Sequence, residues 1–130
     1  MGYAPRILVV DDEPSVQLLL EQLLSDVGYY VTTAANGRMA LAQIRSRDFD
    51  AVITDLSLPD QDGIEVLRQI RSEFPHTPIL ALSGHMVGSM HQTALAAGAT
   101  ETLQKPASPD TLLLAVYGLI QPRNTWARND

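Results

Sequence analysis

Residues 7–12, Ile-Leu-Val-Val-Asp-Asp, place four apolar residues directly before two aspartates. Residues 51–55, Ala-Val-Ile-Thr-Asp, place three apolar residues and a threonine before a single aspartate. Uninterrupted apolar runs of this length are typical of strands that are buried on both faces of a parallel sheet. Lys105, the chain's only lysine, follows a third β-rich segment at residues 101–104. Because the carboxyl ends of neighbouring parallel strands converge, we expect the three aspartates and the lysine to share one crevice.

The expected crevice holds the carboxylates of Asp11, Asp12 and Asp55 together with the ammonium of Lys105. Clustered carboxylates repel one another, so a group of three indicates a bound cation and a function. Each feature alone has a simpler explanation, because paired acids suit a helix N-terminus and a lone lysine is usually solvated. Independent helix caps would not gather at the same sheet edge, however. The joint pattern suits a divalent metal and a phosphoryl group.

The rest of the chain alternates strand patterns with helix patterns. Pro14 suits the first turn of a helix, and Gly28 suits the position just after its end. Asn36 and Ser108 are typical N-caps for two further helices. Five strands alternating with five helices predict an α/β fold, a doubly wound five-stranded parallel sheet with helices on both faces. The predicted strands are residues 7–10, 29–33, 51–54, 78–82 and 101–104.

Length and composition restrict the class of protein. The 130 residues, 45% of them apolar, are enough for one domain with its own core. The net charge of −6 argues against direct binding of nucleic acid, and the lack of cysteine excludes thiolate metal sites. No apolar run approaches the roughly 20 residues of a membrane span, so we expect a cytoplasmic protein. Residues 1–121 are interpreted as the domain and residues 122–130 as a polar tail.

The motifs in this chain resemble those of the receiver domain of response regulators, of the chemotaxis type. Similar stretches are residues 7–14 (Ile-Leu-Val-Val-Asp-Asp-Glu-Pro), 55–63 (Asp-Leu-Ser-Leu-Pro-Asp-Gln-Asp-Gly), 82–84 (Leu-Ser-Gly) and 98–106, which begins Gly-Ala and ends Lys-Pro. They come in the family's order, at strand ends, within about residues 6–121. The resemblance implies a flavodoxin-like sheet with strand order 2-1-3-4-5.

The resemblance also implies a function in two-component signalling. Asp55 would accept a phosphoryl group from the phosphohistidine of a sensor histidine kinase or a phosphotransfer protein, as carboxylate nucleophiles can. Lys105 would pair with one phosphoryl oxygen as a point charge, and the Ser83 hydroxyl would donate to another. The resulting change of conformation would regulate a downstream effector domain or protein.

A magnesium site is implied by the same resemblance. Asp12 and Asp55 would bind Mg²⁺ directly, Asp11 would act through water, and the backbone carbonyl of Ser57 would add a further ligand. Mg²⁺ prefers oxygen ligands and keeps several waters, which agrees with such a set. Its charge would neutralise the phosphoryl oxygens during transfer.

Two other classes of protein offer rival functions. A phosphatase with an aspartyl nucleophile typically carries a second acid two residues further on, where this chain has Ser57, so turnover of external substrates is not expected. A nucleotide-binding domain would need a glycine-rich loop after the first strand, where Asp12-Glu13-Pro14 stand instead. A pseudo-receiver, an interaction module not controlled by phosphorylation, remains the alternative.

The chain departs from the family pattern at the position three residues before the lysine, which usually holds Tyr or Phe and here holds Thr102. We therefore predict that no ring rotation reports phosphorylation and that Ser83 acts by loop displacement alone. The alternative is that Thr102 is simply an adequate strand residue and the signal leaves by another face. His85 is interpreted as lining the rim of the site rather than ordering the attacking water. His76 and His91 are expected at the surface.

The last helix is apolar nearly all round at residues 112–120, although packing on a sheet needs only one apolar stripe. This surplus favours a hydrophobic contact, either a homodimer or a partner domain. The alternative is that Trp126 and the tail fold back over it. The preceding helix carries no charged residue between 89 and 97, which argues against a charge-paired dimer.

Overall fold

The computed structural model describes residues 4–86 and 88–120, in which five strands alternate with five helices. The alternation predicted from the sequence is confirmed, and the second and fourth strands lie one residue further along the chain than predicted. The strands are β1 (Arg6–Val10), β2 (Tyr30–Ala34), β3 (Ala51–Asp55), β4 (Ile79–Ser83) and β5 (Glu101–Gln104). The helices are α1 (Pro14–Asp26), α2 (Gly37–Ser46), α3 (Gly63–Glu73), α4 (Ser89–Ala97) and α5 (Pro109–Ile120).

The five strands form one sheet in the order β2-β1-β3-β4-β5, with every neighbouring pair parallel. The predicted doubly wound sheet and its strand order are therefore confirmed. The direction of winding reverses between β1 and β3, because β2 lies on one side of β1 and all later strands lie on the other. Ligands of such sheets bind outside the carboxyl ends of the strands at this switch point.

The central strands separate the core into two layers. In β1, Leu8 and Val10 face the layer that contains α2, α3 and α4, whereas Ile7 and Val9 face α1 and α5. Successive side chains of a strand point to opposite faces, so a strand covered on both faces needs an apolar residue at every position. This is why the first strand has an uninterrupted apolar run.

The predicted helix-end signals are confirmed. Pro14 is the first residue of α1, and Gly28 follows the C-cap of that helix with φ at +99°, a backbone region that glycine enters without strain. The Asn36 side chain caps α2 by accepting the Met39 N–H at 2.8 Å. The Ser108 hydroxyl accepts the N–H of the third residue of α5 at 3.1 Å. Side-chain caps of this kind satisfy N–H groups that have no partner within the helix.

Helix α5 buries one stripe and leaves apolar side chains outside it. Leu112, Ala115, Val116 and Leu119 are buried, whereas Leu114 is 71% exposed and Tyr117 is 55% exposed. The predicted surplus of apolar surface is therefore present in the described residues. The predicted tail, residues 122–130 with Trp126, lies outside them, so the domain boundary and the alternative that the tail covers α5 stay predictions. No described helix is long and apolar enough to cross a membrane.

Candidate functional site

The predicted site residues meet at the carboxyl edge of the sheet because the strands are parallel and in register. Asp11 follows β1 directly, Asp55 ends β3, and Ser83 ends β4. The last residue of β5 pairs with Ser83, and the next backbone N–H, that of Lys105, donates to the Ser83 carbonyl at 2.9 Å. The lysine therefore enters the site from the neighbouring strand, as its position after the fifth strand predicted.

The three predicted carboxylates form one acidic cluster, defined here as Asp11, Asp12 and Asp55. One oxygen of each lies within 4.8 Å of the others. Asp11 and Asp55 are buried, whereas Asp12 is exposed and opens the cluster to solvent. Carboxylate oxygens are the protein ligands that Mg²⁺ prefers, and an open side leaves room for its waters. The donor set therefore fits a magnesium ion.

Lys105 contacts two members of the acidic cluster with its ammonium group. Its Nζ lies 3.0 Å from Asp55 Oδ2 and 3.3 Å from Asp11 Oδ2. Burial lowers the pKa of the ammonium, but hydrogen bonding to Asp55 and the charges of both aspartates outweigh burial and raise the pKa above its ordinary value. The cluster thus places three acidic side chains against one ammonium, an excess of acidic groups that a divalent cation would offset.

Asp11 is held where its charge is unfavourable. Burial raises the pKa of its carboxyl above the ordinary value, and the charge of Asp55 raises it further. The Glu13 N–H, which donates to Asp11 Oδ1 at 3.0 Å, and the ammonium of Lys105 lower the pKa without cancelling these effects. A carboxylate in this position is stabilised by any additional cation that reaches it.

The loop between β3 and α3 shapes one wall of the site. The Ser57 N–H donates to Asp55 Oδ1 at 3.0 Å, and Ser57 forms an isolated antiparallel bridge with Asp62. A Cβ at Gly63 would lie 2.1 Å from the carbonyl oxygen of Leu56, so the loop returns too closely for any larger residue. This close return holds the backbone of Ser57, the predicted carbonyl ligand, beside the acidic cluster.

Asp60, in the same loop, has contacts that the sequence analysis missed. Its Oδ1 accepts the Gly37 N–H at 2.9 Å and its Oδ2 accepts the Arg38 N–H at 3.1 Å, so it caps α2 from a distant part of the chain. These hydrogen bonds, the first of them above all, lower the pKa of the Asp60 carboxyl below its ordinary value. No local pattern could reveal the contact, because the partners are more than twenty residues apart.

Ser83 and His85 form the opposite wall. Ser83 is buried, and its hydroxyl oxygen accepts the backbone N–H of His85 at 3.0 Å. Among the hydrogen bonds of the described residues, none joins Ser83 to Asp55. The His85 side chain is exposed and lines an open cleft of about 320 Å³ above the cluster, which agrees with its predicted place on the rim.

Thr102 has a partner that the sequence did not indicate. Its Oγ1 lies 2.5 Å from Nδ1 of His91 on α4, within hydrogen-bond distance. His91 is exposed, as predicted, but its ring is engaged with the strand that leads to Lys105. The short polar side chain of Thr102 is thus hydrogen-bonded to the neighbouring helix.

The family model of the response regulator receiver domain matches residues 7–117 of this chain. The chain belongs to that family. This receiver domain is 39% identical over 114 residues to the transcriptional regulatory protein TcrA of Mycobacterium tuberculosis, covering 88% of this chain and 45% of that protein. It is 42% identical over 116 residues to the response regulator MprA of Mycolicibacterium vanbaalenii, covering 89% of this chain and 50% of that protein. The chain thus spans about half the length of these relatives.

Solved structures of other receiver domains are similar throughout. The chemotaxis response regulator CheY4 of Vibrio cholerae is 37% identical with a TM-score of 0.85, covering 90% of this receiver domain and 99% of CheY4. A CheY-like receiver domain protein of Methanospirillum hungatei is 29% identical with a TM-score of 0.88, and the match covers 92% of this receiver domain and 95% of that protein. The family and fold that the sequence motifs predicted are both confirmed.

Proposed function

We propose that this receiver domain is a phosphoacceptor switch, and that Asp55 takes a phosphoryl group from a phosphohistidine of a sensor histidine kinase or a phosphotransfer protein. The observation that carries the proposal is the setting of Asp55. Its carboxylate ends a buried strand, borders an open cleft and lies 3.0 Å from the ammonium of Lys105. Phosphoryl transfer depends mainly on positioning and charge neutralisation, and this setting supplies both.

In the proposed step, a carboxylate oxygen of Asp55 attacks the phosphorus atom. The new O–P bond forms as the P–N bond to the donor imidazole breaks, and that nitrogen keeps the electron pair and takes a proton. The product is an acyl phosphate on Asp55. Lys105 pairs with one phosphoryl oxygen, and the Ser83 hydroxyl donates to another. Turnover of an external substrate has no part in this proposal.

Mg²⁺ is the proposed cofactor. Asp12 and Asp55 would hold it directly, Asp11 through water, and the Ser57 carbonyl would complete the protein ligands. When bound, the ion neutralises charge on the transferring group. The assignment is supported by the geometry of the acidic cluster, in which three acidic side chains meet a single ammonium, and by the burial that raises the pKa of Asp11.

The proposed output is a displacement of the loop that follows Ser83, without rotation of an aromatic ring, and it regulates a downstream effector. Because histidine kinases use ATP, the proposed location is the cytoplasm.

The exposed Leu114 and Tyr117 favour a hydrophobic contact through α5 with a second copy or a partner domain. Sedimentation velocity tests the homodimer: a monomer at high micromolar concentration excludes it.

Intact mass after incubation with Mg²⁺ and either acetyl phosphate or phosphoramidate tests the proposed acceptor. Phosphoramidate offers a P–N bond like that of phosphohistidine. A phosphate-sized gain is expected in the parent and in the control Asp48→Asn, which changes an exposed acid outside the cluster. No gain is expected in Asp55→Asn or with EDTA in place of Mg²⁺. An equal mass gain in Asp55→Asn would refute Asp55 as the phosphoacceptor. If neither the parent nor a variant gains mass with either donor, the result favours the pseudo-receiver.

A further inference from the structure

The first half of α4 is held weakly to the rest of the domain. The buried residues of this helix, Ala94 and Ala97, are small and lie in its second half. Its N-cap residue provides no side-chain hydrogen bond, and Met90 is only partly buried against the core. A segment with little buried apolar surface and no cap is easily displaced, because little free energy opposes its movement.

The hydrogen bond between His91 and Thr102 ties this loosely packed half of α4 to the sheet. Thr102 lies in β5, where its register partner is Ala81 of the buried strand β4, so its backbone is firmly placed. Among the described residues, no other side-chain hydrogen bond joins α4 to β5. This contact therefore helps to fix the position of the first turn of the helix relative to the strand.

Two paths lead from Asp55 to the same hydrogen bond. One runs through Lys105, which contacts Asp55 and lies three residues after Thr102 on the chain. The other runs through Ser83, whose hydroxyl accepts the His85 N–H. A shift of the Ser83 hydroxyl toward a group on Asp55 therefore carries the backbone of His85, and α4 begins only four residues later. We expect a shift along the Ser83 path to move the helix, whereas the pairing of β5 with β4 holds the strand in place.

We propose that the His91–Thr102 hydrogen bond couples the acceptor site to the α4–β5 surface, and that phosphorylation of Asp55 separates the pair. This inference rests on the proposed function. The unphosphorylated domain keeps the bond and holds the first half of α4 against β5. In the phosphorylated domain the loop after Ser83 has moved, His91 leaves Thr102, and the imidazole and the hydroxyl become available to a partner.

Thermodynamic reciprocity gives the proposal a quantitative consequence. If a group on Asp55 opposes the bond, then removing the bond must favour binding of that group by the same factor. Thr102→Val removes the hydroxyl with little change of shape, and Thr102→Ser keeps the hydroxyl as a matched control. Beryllofluoride, a phosphoryl mimic, should bind Thr102→Val about threefold more tightly than the parent, the scale of one exposed hydrogen bond. Thr102→Ser should match the parent.

The experiment is a titration of ¹⁵N-histidine-labelled protein with beryllofluoride in Mg²⁺, followed by NMR of the imidazole nitrogens. His91 is assigned from His91→Gln, and Thr102→Val gives the signal of Nδ1 without its partner. The signal of the parent should move to that position as beryllofluoride saturates, with Asp55→Asn unresponsive. If backbone amides around Asp55 respond while His91 Nδ1 does not move, or if Thr102→Val and Thr102→Ser bind equally, the coupling is refuted. If nothing in the parent responds, the proposed function fails first.

Discussion

Replacement of Lys105 by methionine keeps the length of the side chain and removes the ammonium that lies between two buried carboxylates. At an effective dielectric constant of about 20, each contact, at 3.0 Å and 3.3 Å, corresponds to roughly 5 kcal/mol of attraction. Desolvation of the ammonium offsets most of this, and the lysine side chain is still 26% exposed. We expect a net loss of about 2 kcal/mol in the free energy of unfolding without metal.

Urea denaturation in EDTA and in Mg²⁺ measures the effect. In EDTA, Lys105→Met should unfold at a clearly lower urea concentration than the parent. In Mg²⁺ most of the difference should disappear, because the ion binds the folded state and neutralises the same carboxylates. Arg68→Met is the matched control: its guanidinium lies 3.6 Å from Glu65 and both side chains are more than half exposed, so the change should be near zero.

A parent-like midpoint for Lys105→Met in EDTA would refute the electrostatic account of the cluster. The same conclusion would follow if Arg68→Met lost as much stability, since the effect would then not depend on burial. If Mg²⁺ does not restore the stability of Lys105→Met, the stabilising effect of the lysine is independent of the metal site. In that case the ammonium would stabilise the folded state through contacts with Asp11 and Asp55 that the ion does not replace.

Three further outcomes are expected. Asp60→Asn should lower the urea midpoint at neutral pH. Because folding lowers the pKa of the Asp60 carboxyl, the stabilisation that it provides is lost as the pH falls through the folded-state pKa. The urea midpoints of the parent and the variant should therefore converge in acid. Arg71→Met removes hydrogen bonds to the carbonyls of Gly98 and Phe74 and should cost roughly 2 kcal/mol in the same assay, with equal midpoints counting against the contacts. Gly63→Ala should force the β3–α3 loop open and weaken Mg²⁺ binding measured by calorimetry, whereas parent-like binding would exclude a role for the close return.

The fold and the acidic cluster were predictable because both depend on local patterns. An apolar run marks a buried strand, and a polar residue directly after such a run must lie at its carboxyl end. Once the alternation of strands and helices predicts a parallel sheet, Asp11, Asp55 and Lys105 are brought to one edge by topology alone. No knowledge of side-chain contacts is needed for that step.

The contacts of Asp60 and Thr102 were not predictable in the same way. Asp60 contacts an element that is distant in the chain, and Thr102 contacts the helix that directly precedes its strand. Each uses a polar residue that occurs equally often on an exposed loop or strand. Local patterns predict which residues face the core but not which surface residues meet one another. The Ser83 contact with His85 lies between these cases, because a hydroxyl that accepts an N–H two residues later is a common local arrangement that the sequence permits but does not require.

The division of the core by the sheet has a consequence for how this domain can change during evolution. The buried residues that pack with α2, α3 and α4 form a set that shares no member with the set that packs with α1 and α5. Substitutions at positions that lie far apart and share no partner, such as those on α4 and on α1, usually have additive effects on stability. Residues on the α4 face can therefore change by successive replacements during evolution while residues on the α1 and α5 face keep their sequence. The two faces of this small domain can thus acquire different binding partners independently.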